Sequence, residues 1–170
     1  MKRILLLTLV ALFIAGATTE AKAQDMKYMF ELHAGTGIGV GKNPMHQLQV
    51  NWVQGFRLDD NYSLGFGLGL DWHTADFREE GVLMFPLYYN VKFYAPTNGM
   101  FKPFISASIG YGINSEREKI PVSGGLLFDV GTGFKISGVM FSIGYHMQQM
   151  GPIKDNVNFG ALQFKIGFAI

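Results

Sequence analysis

Seven charged side chains occupy the same kind of position in the chain. Glu31, Arg57, Lys92, Lys102, Asp129, Lys135 and Lys165 each fall on the small or polar parity of a segment that alternates with bulky apolar residues. If those parities form one enclosed face, the five cations Arg57, Lys92, Lys102, Lys135 and Lys165 meet Glu31 at a similar depth, with Asp71 and Asp129 placed higher. Two kinds of chemistry follow. Buried charges must be paired, so the group is expected to form a salt-bridged plug, open to water at its lower rim. The alternative is a basic vestibule that favours anions.

Other constellations carry less. Glu31 with His33, and Asp71 with His73, share a strand face at i and i+2, but each pair supplies two ligands where a metal centre asks for more. His33, His46, His73 and His146 do not pair among themselves at metal-binding spacings, so neither a metal nor a cofactor is expected. "GTGIGVG" (35–41) never completes the spacing of a nucleotide-binding glycine loop, and no helical pattern follows it. The absence of cysteine excludes disulfides, thiolate metal sites and a cysteine nucleophile.

The elements that must position these groups are strands. "NYSLGFGLGLDWH" (61–73) places Ser63, Gly65, Gly67 and Gly69 on one parity and Tyr62, Leu64, Phe66, Leu68, Leu70 and Trp72 on the other. The same period of two runs through segments beginning near Tyr28, His46, Val82, Lys102, Leu126, Val139 and Gly160, which gives eight strands. Only Val53 and Gln54 break the alternation in the second. Most segments are ten residues or longer, whereas soluble strands average about 5 to 6 and tilted membrane strands need about 9 to 11. The small face carries too little bulk for a core, so the apolar face is expected to meet lipid and the glycine face to line a narrow lumen. The expected fold is all-β, an eight-stranded antiparallel up-and-down transmembrane β-barrel.

The first 23 residues read as an export signal: Lys2 and Arg3, the apolar run 4–17, and "AKA" before cleavage at Ala23. Residues 24–170 then form the barrel domain, with 11 basic and 12 acidic residues. A net charge this close to zero gives no sign of nucleic-acid binding.

Connection lengths agree with a barrel whose N-terminus is periplasmic. "LDDN" (58–61), "PTNG" (96–99) and "SG" (137–138) are short, while 39–45, 73–81, 113–123 and 150–157 are longer and face outward. Tyr28, Phe56, Tyr62, Phe101, Phe134 and Phe168 would form one interfacial girdle, and Trp72, Tyr111 and Tyr145 the other. Pro103 is expected at a strand start, and Pro86 at a bulge or above the bilayer, because a closed barrel has no free edge for a missing N–H.

The signal, the eight alternating segments, "VGTGFKISGVMFSIGYHMQQM" and the ending "FGALQFKIGFAI" resemble the small OmpA/OmpX-type outer-membrane β-barrels of Gram-negative bacteria. Such barrels often end in phenylalanine; here Ile170 is last, with Phe168 two positions before it. The resemblance implies an integral outer-membrane protein, a non-enzymatic structural or surface-interaction barrel with a side-chain-filled lumen. Its implied partners are outer-membrane lipid, lipopolysaccharide and the barrel assembly machinery, and its implied state is a monomer without a peptidoglycan-binding domain. A lipid A deacylase of the PagL type is a rival, since those enzymes carry a late His-x-Ser pair. His146 stands in the corresponding region, but Gln148 holds the position of the serine, so no nucleophile is activated and no enzyme is expected. A lipocalin-like periplasmic carrier would need the two faces reversed.

Overall fold

A computed structural model describes residues 26–74, 81–97, 99–114, 124–150 and 157–170. The segment read as an export signal and most of the longer connections lie outside these residues. Eight strands follow in order: β1 Lys27–Val40, β2 His46–Arg57, β3 Tyr62–Thr74, β4 Val82–Tyr94, β5 Phe101–Asn114, β6 Gly125–Ile136, β7 Val139–Met150 and β8 Val157–Ala169. Each pairs antiparallel with the next, and β8 returns to β1 to close the barrel. The seam runs from Glu31 opposite Ala169 to Val40 opposite Gly160. Below it, the Ile170 N–H donates to the Phe30 carbonyl at 2.9 Å and the Phe30 N–H donates to the Ile170 carbonyl at 3.2 Å.

The two faces separate as the alternation predicts. Phe66, Val130, Ile143 and Phe164 point outward and are exposed, as are the Tyr28, Phe56, Tyr62, Phe101 and Phe168 rings at one end and Tyr111 and Tyr145 toward the other. Glu31, Gln47, Asp71, Lys92, Gln148 and Gln163 are buried inside. This distribution overturns the lipocalin-like reading, which requires apolar side chains within and polar ones without.

One end of the barrel carries the short connections. Ser137 and Gly138 both have positive φ, 47° and 98°, the pairing of a tight hairpin turn whose twist matches its strands. Between β2 and β3 the Asp59 carboxylate accepts from the Asn61 and Tyr62 amides at 2.6 and 2.7 Å, closing that turn locally. This is the turn end; the opposite one is the loop end.

Three local features refine the sequence reading. Val53 and Gln54 keep the register and exchange chemistry instead: Val53 packs inside with Met29, Tyr88 and Leu127, while outward Gln54 accepts from the Tyr28 hydroxyl at 3.4 Å. Pro103 is the third residue of β5, as expected of a strand start. Pro86 produces no bulge, because Leu68 opposite Leu87 and Asp71 opposite Met84 hold one register on either side of it. Its missing donor is absorbed as a gap in the β3–β4 ladder at Gly69 and Leu70.

The glycine parity of β3 is needed for space. A Cβ on Gly67 would collide with the Tyr88 ring, and one on Gly69 would overlap the Asn51 side chain. Tyr88 in turn belongs to the apolar cluster formed by Met29, Val53 and Leu127, so the lumen holds bulk as well as charge.

Two outcomes test this architecture by urea unfolding in lipid vesicles. Arginine at outward Ile143 should cost about 2 to 4 kcal/mol, and at Phe56 near the turn end about 0 to 1. Gly67→Val should destabilise by about 1 to 3 kcal/mol through overpacking, and Gly67→Val with Tyr88→Ala should fall short of the sum of the two separate losses.

Candidate functional site

Inward parity on eight strands brings residues from distant parts of the chain into one narrow interior. Its polar side chains sort into four groups.

Nearest the middle of the turn-end half, Glu31 of β1 is the acceptor of a buried cluster. Its Oε2 takes the Lys92 ammonium at 2.5 Å and lies 3.0 Å from His33 Nε2, while Oε1 accepts from the Tyr94 hydroxyl at 3.3 Å. Lys92 also donates to Asn90 Oδ1 at 2.8 Å, and Asn90 donates onward to Ser108 Oγ at 2.9 Å. Strands β1, β4 and β5 are thus tied across the lumen. Gly167 on β8 leaves room for the His33 ring, since a Cβ there would collide with it.

A second ion pair sits higher. Lys165 of β8 donates to Asp129 Oδ2 of β6 at 2.7 Å, and His146 Nδ1 of β7 lies 3.6 Å from the same oxygen. The five cations therefore do not crowd around Glu31 alone: Lys165 reaches toward the loop end and takes Asp129 as its partner.

Arg57, Lys102 and Lys135 are left at the turn-end mouth. Lys102 and Lys135 are direct cross-strand partners, and the Arg57 guanidinium lies over the Tyr94 ring at 5.5 Å. Among the described residues none of the three has a carboxylate within 4 Å. The neighbouring Asp59 carboxylate is used by its own turn amides. Like charges directly opposite on a ladder repel, so this mouth is a region of positive potential.

Sequence spacing missed a third constellation. Asp71 and His73 of β3 are joined by His146 of β7, with one ligand-capable atom of each residue within 4.8 Å of the others and all three residues buried. The expectation of two ligands rested on spacing within one strand, whereas closure of the sheet carries β7 across to β3. Shared inward parity, together with position counted from the loop end of each strand, was the signal available. Glutamine and asparagine complete the level: Gln47 donates to Asp71 Oδ2 at 3.0 Å, Asn51 to Oδ1 at 3.3 Å, and Gln163 to Gln47 Oε1 at 2.8 Å.

Between these levels lies a cavity of about 40 Å³, touched by His33, Tyr88, Asp71, Asp129, His146 and Lys165. It suits a few water molecules.

A closed sheet, an apolar outer belt with aromatic ends and a charged, crowded interior define a transmembrane β-barrel; the protein has the fold of the small eight-stranded outer-membrane barrels. Among solved structures it is similar to the outer-membrane enzyme PagL (14% identity, TM-score 0.60, covering 82% of this chain and 99% of that one). Neisserial surface protein A is also similar (12% identity, TM-score 0.59, 83% and 96% covered). So is the N-terminal β-barrel domain of Pseudomonas aeruginosa OprF (16% identity, TM-score 0.50, 86% and 100% covered). No family model and no curated protein matches the sequence.

The Glu31–Lys92 pair generates a stability prediction. Glu31→Gln should destabilise the barrel by about 3 to 5 kcal/mol by leaving the ammonium buried and unpaired. Glu31→Gln with Lys92→Met should recover most of that loss when both are compared by urea unfolding in the same micelles.

Proposed function

We propose that this protein is a non-enzymatic structural or surface-interaction barrel of the outer membrane, closed to solutes by its own interior side chains. The observation that carries this reading is the set of cross-lumen links from β1 to β4, from β6 to β8 and from β8 to β2, with a cavity of about 40 Å³ among the described residues between them. An interior of eight strands has room for side chains and little else. The outward residues supply the lipid contact, and interaction with other surface components falls to the loop end.

The similarity to PagL supports an enzymatic alternative, the lipid A-modifying barrel with a degenerate site. The side chains argue against it. Gln148, where the serine of a His-x-Ser pair would stand, is buried and donates to the Gly125 and Gln149 carbonyls at 3.0 and 2.9 Å. His146 is 3% exposed and turned into the lumen, out of reach of a lipid acyl chain. Without a hydroxyl beside the imidazole no nucleophile can be activated. The basic mouth formed by Arg57, Lys102 and Lys135 favours a narrow anion pore as a further reading, but the paired groups above it block the path.

Planar-bilayer recording separates these readings. The plug predicts conductance at baseline for the unaltered protein and for Glu31→Gln, with the second less stable. Anion-selective conductance that rises in Glu31→Gln while the fold holds would establish the pore. Release of fatty acid from purified lipid A, lost in His146→Ala, would establish the enzyme.

A further inference from the structure

Among the described residues three carboxylates are buried in the lumen, and they are not treated alike. Glu31 holds Lys92 and Asp129 holds Lys165. Asp71, 2% exposed, receives only the neutral amides of Gln47 and Asn51, and among the described residues it has no lysine or arginine within 4 Å. A buried carboxylate is costly as a bare anion, and is relieved by a proton, a cationic side chain or a metal ion. The groups beside Asp71 that could supply such relief are imidazoles.

Both imidazoles have an idle nitrogen. His73 and His146 are 2% and 3% exposed, their rings stack at 6.0 Å, and Nε2 of each is buried with no hydrogen-bond partner among the described residues. A buried ring nitrogen without a partner forfeits the interactions that water would have supplied. Two such nitrogens next to a carboxylate without a cation form a set of donors that lacks an acceptor of electron pairs.

We infer that Asp71, His73 and His146 bind one divalent transition-metal ion of the zinc class in the loop-end half of the lumen. Two imidazoles and a carboxylate suit zinc, cobalt, nickel or copper, and suit calcium or magnesium poorly, because the latter prefer all-oxygen shells. Donors on a tetrahedral ion at ~2.1 Å stand about 3.4 Å apart. The present donor atoms lie within 4.8 Å of one another, so side-chain rotation brings them to bonding distance.

The surroundings are those of a metal centre. Asp129 Oδ2 lies 3.6 Å from His146 Nδ1, on the side of the ring away from the unpartnered Nε2. The Gln47 and Asn51 amides hold the Asp71 carboxylate in place. A carboxylate that closes onto Nδ1 of a ligating imidazole fixes its tautomer and raises its basicity, and Asp129 is placed to do so when the ring turns to bind. Asp71 and His146 also border the internal cavity, which leaves the ion's remaining position to water.

The test uses the full chain purified in detergent, stripped with a chelator and titrated with Zn²⁺ and with Co²⁺. Calorimetry should find one Zn²⁺ per chain, and Co²⁺ should give the visible absorption of a four- or five-coordinate site. Histidine-selective NMR should show Zn²⁺ perturbing two of the four imidazoles. His73→Gln, His146→Gln and Asp71→Asn should each weaken Zn²⁺ binding by at least ~10-fold, while His33→Gln and His46→Gln leave it unchanged. Gel migration before and after boiling confirms that each variant has closed. Absence of stoichiometric Zn²⁺ uptake by the unaltered chain would overturn the inference, whatever the variants do. Undiminished uptake by a folded His73→Gln/His146→Gln double variant, or perturbation of His33 and His46 in place of His73 and His146, would do the same.

Discussion

The constraint on which everything else rests is that a sheet surrounded by hydrocarbon must pair its backbone N–H and carbonyl groups within itself, with gaps few and short. The β1–β8 ladder meets it by joining the first and last of the described strands from Glu31 opposite Ala169 to Val40 opposite Gly160. Once the sheet is closed with eight strands, its inner circumference is fixed, and the rest of the interior follows from that size. Tyr88 can enter only because Gly67 has no side chain, and His33 only because Gly167 has none. Charges that enter must find partners there, because no bulk water does the work for them. Glycine, tyrosine and lysine on the inner wall are thus answers to a single geometric limit.

The strands were legible because their two environments differ so sharply. Lipid on one side and a crowded polar lumen on the other impose period two on nearly the whole of β3 and on β8 from Ala161 onward. Reading broke down where a single residue departs from its face. Val53 and Gln54 look like a register slip in sequence, but a valine can join Met29 and Tyr88 inside and a glutamine can take a tyrosine hydroxyl outside. Of the two placements expected for Pro86, the bulge fails for a related reason. A ladder of many bonds tolerates a short gap at Gly69 and Leu70 at less cost than a bulge, which would turn every later side chain to the wrong face.

The interior was legible as a list of inward residues, and much less so as a set of partners. Parity says that Glu31, Lys92, Asp129 and Lys165 share the lumen, but it does not say that a long lysine on β8 leans toward the loop end to meet Asp129. Flexible stems set such pairings, and strand spacing carries no record of them. The Asp71, His73 and His146 group illustrates a second limit. Its members lie far apart in the chain, and a search by local spacing finds only the two on β3. Combining inward parity with depth would have found the third.

The Gln47–Gln163 hydrogen bond has a consequence of its own. It joins β2 to β8 and so passes behind the seam, bracing on the inside the one junction where the chain's first and last strands meet. Both side chains are fully buried and the bond is 2.8 Å long. Parting β1 from β8 would have to break this brace as well as the ladder, and would expose two bare primary amides to the bilayer. The seam is therefore held from inside the lumen as well as along its own ladder.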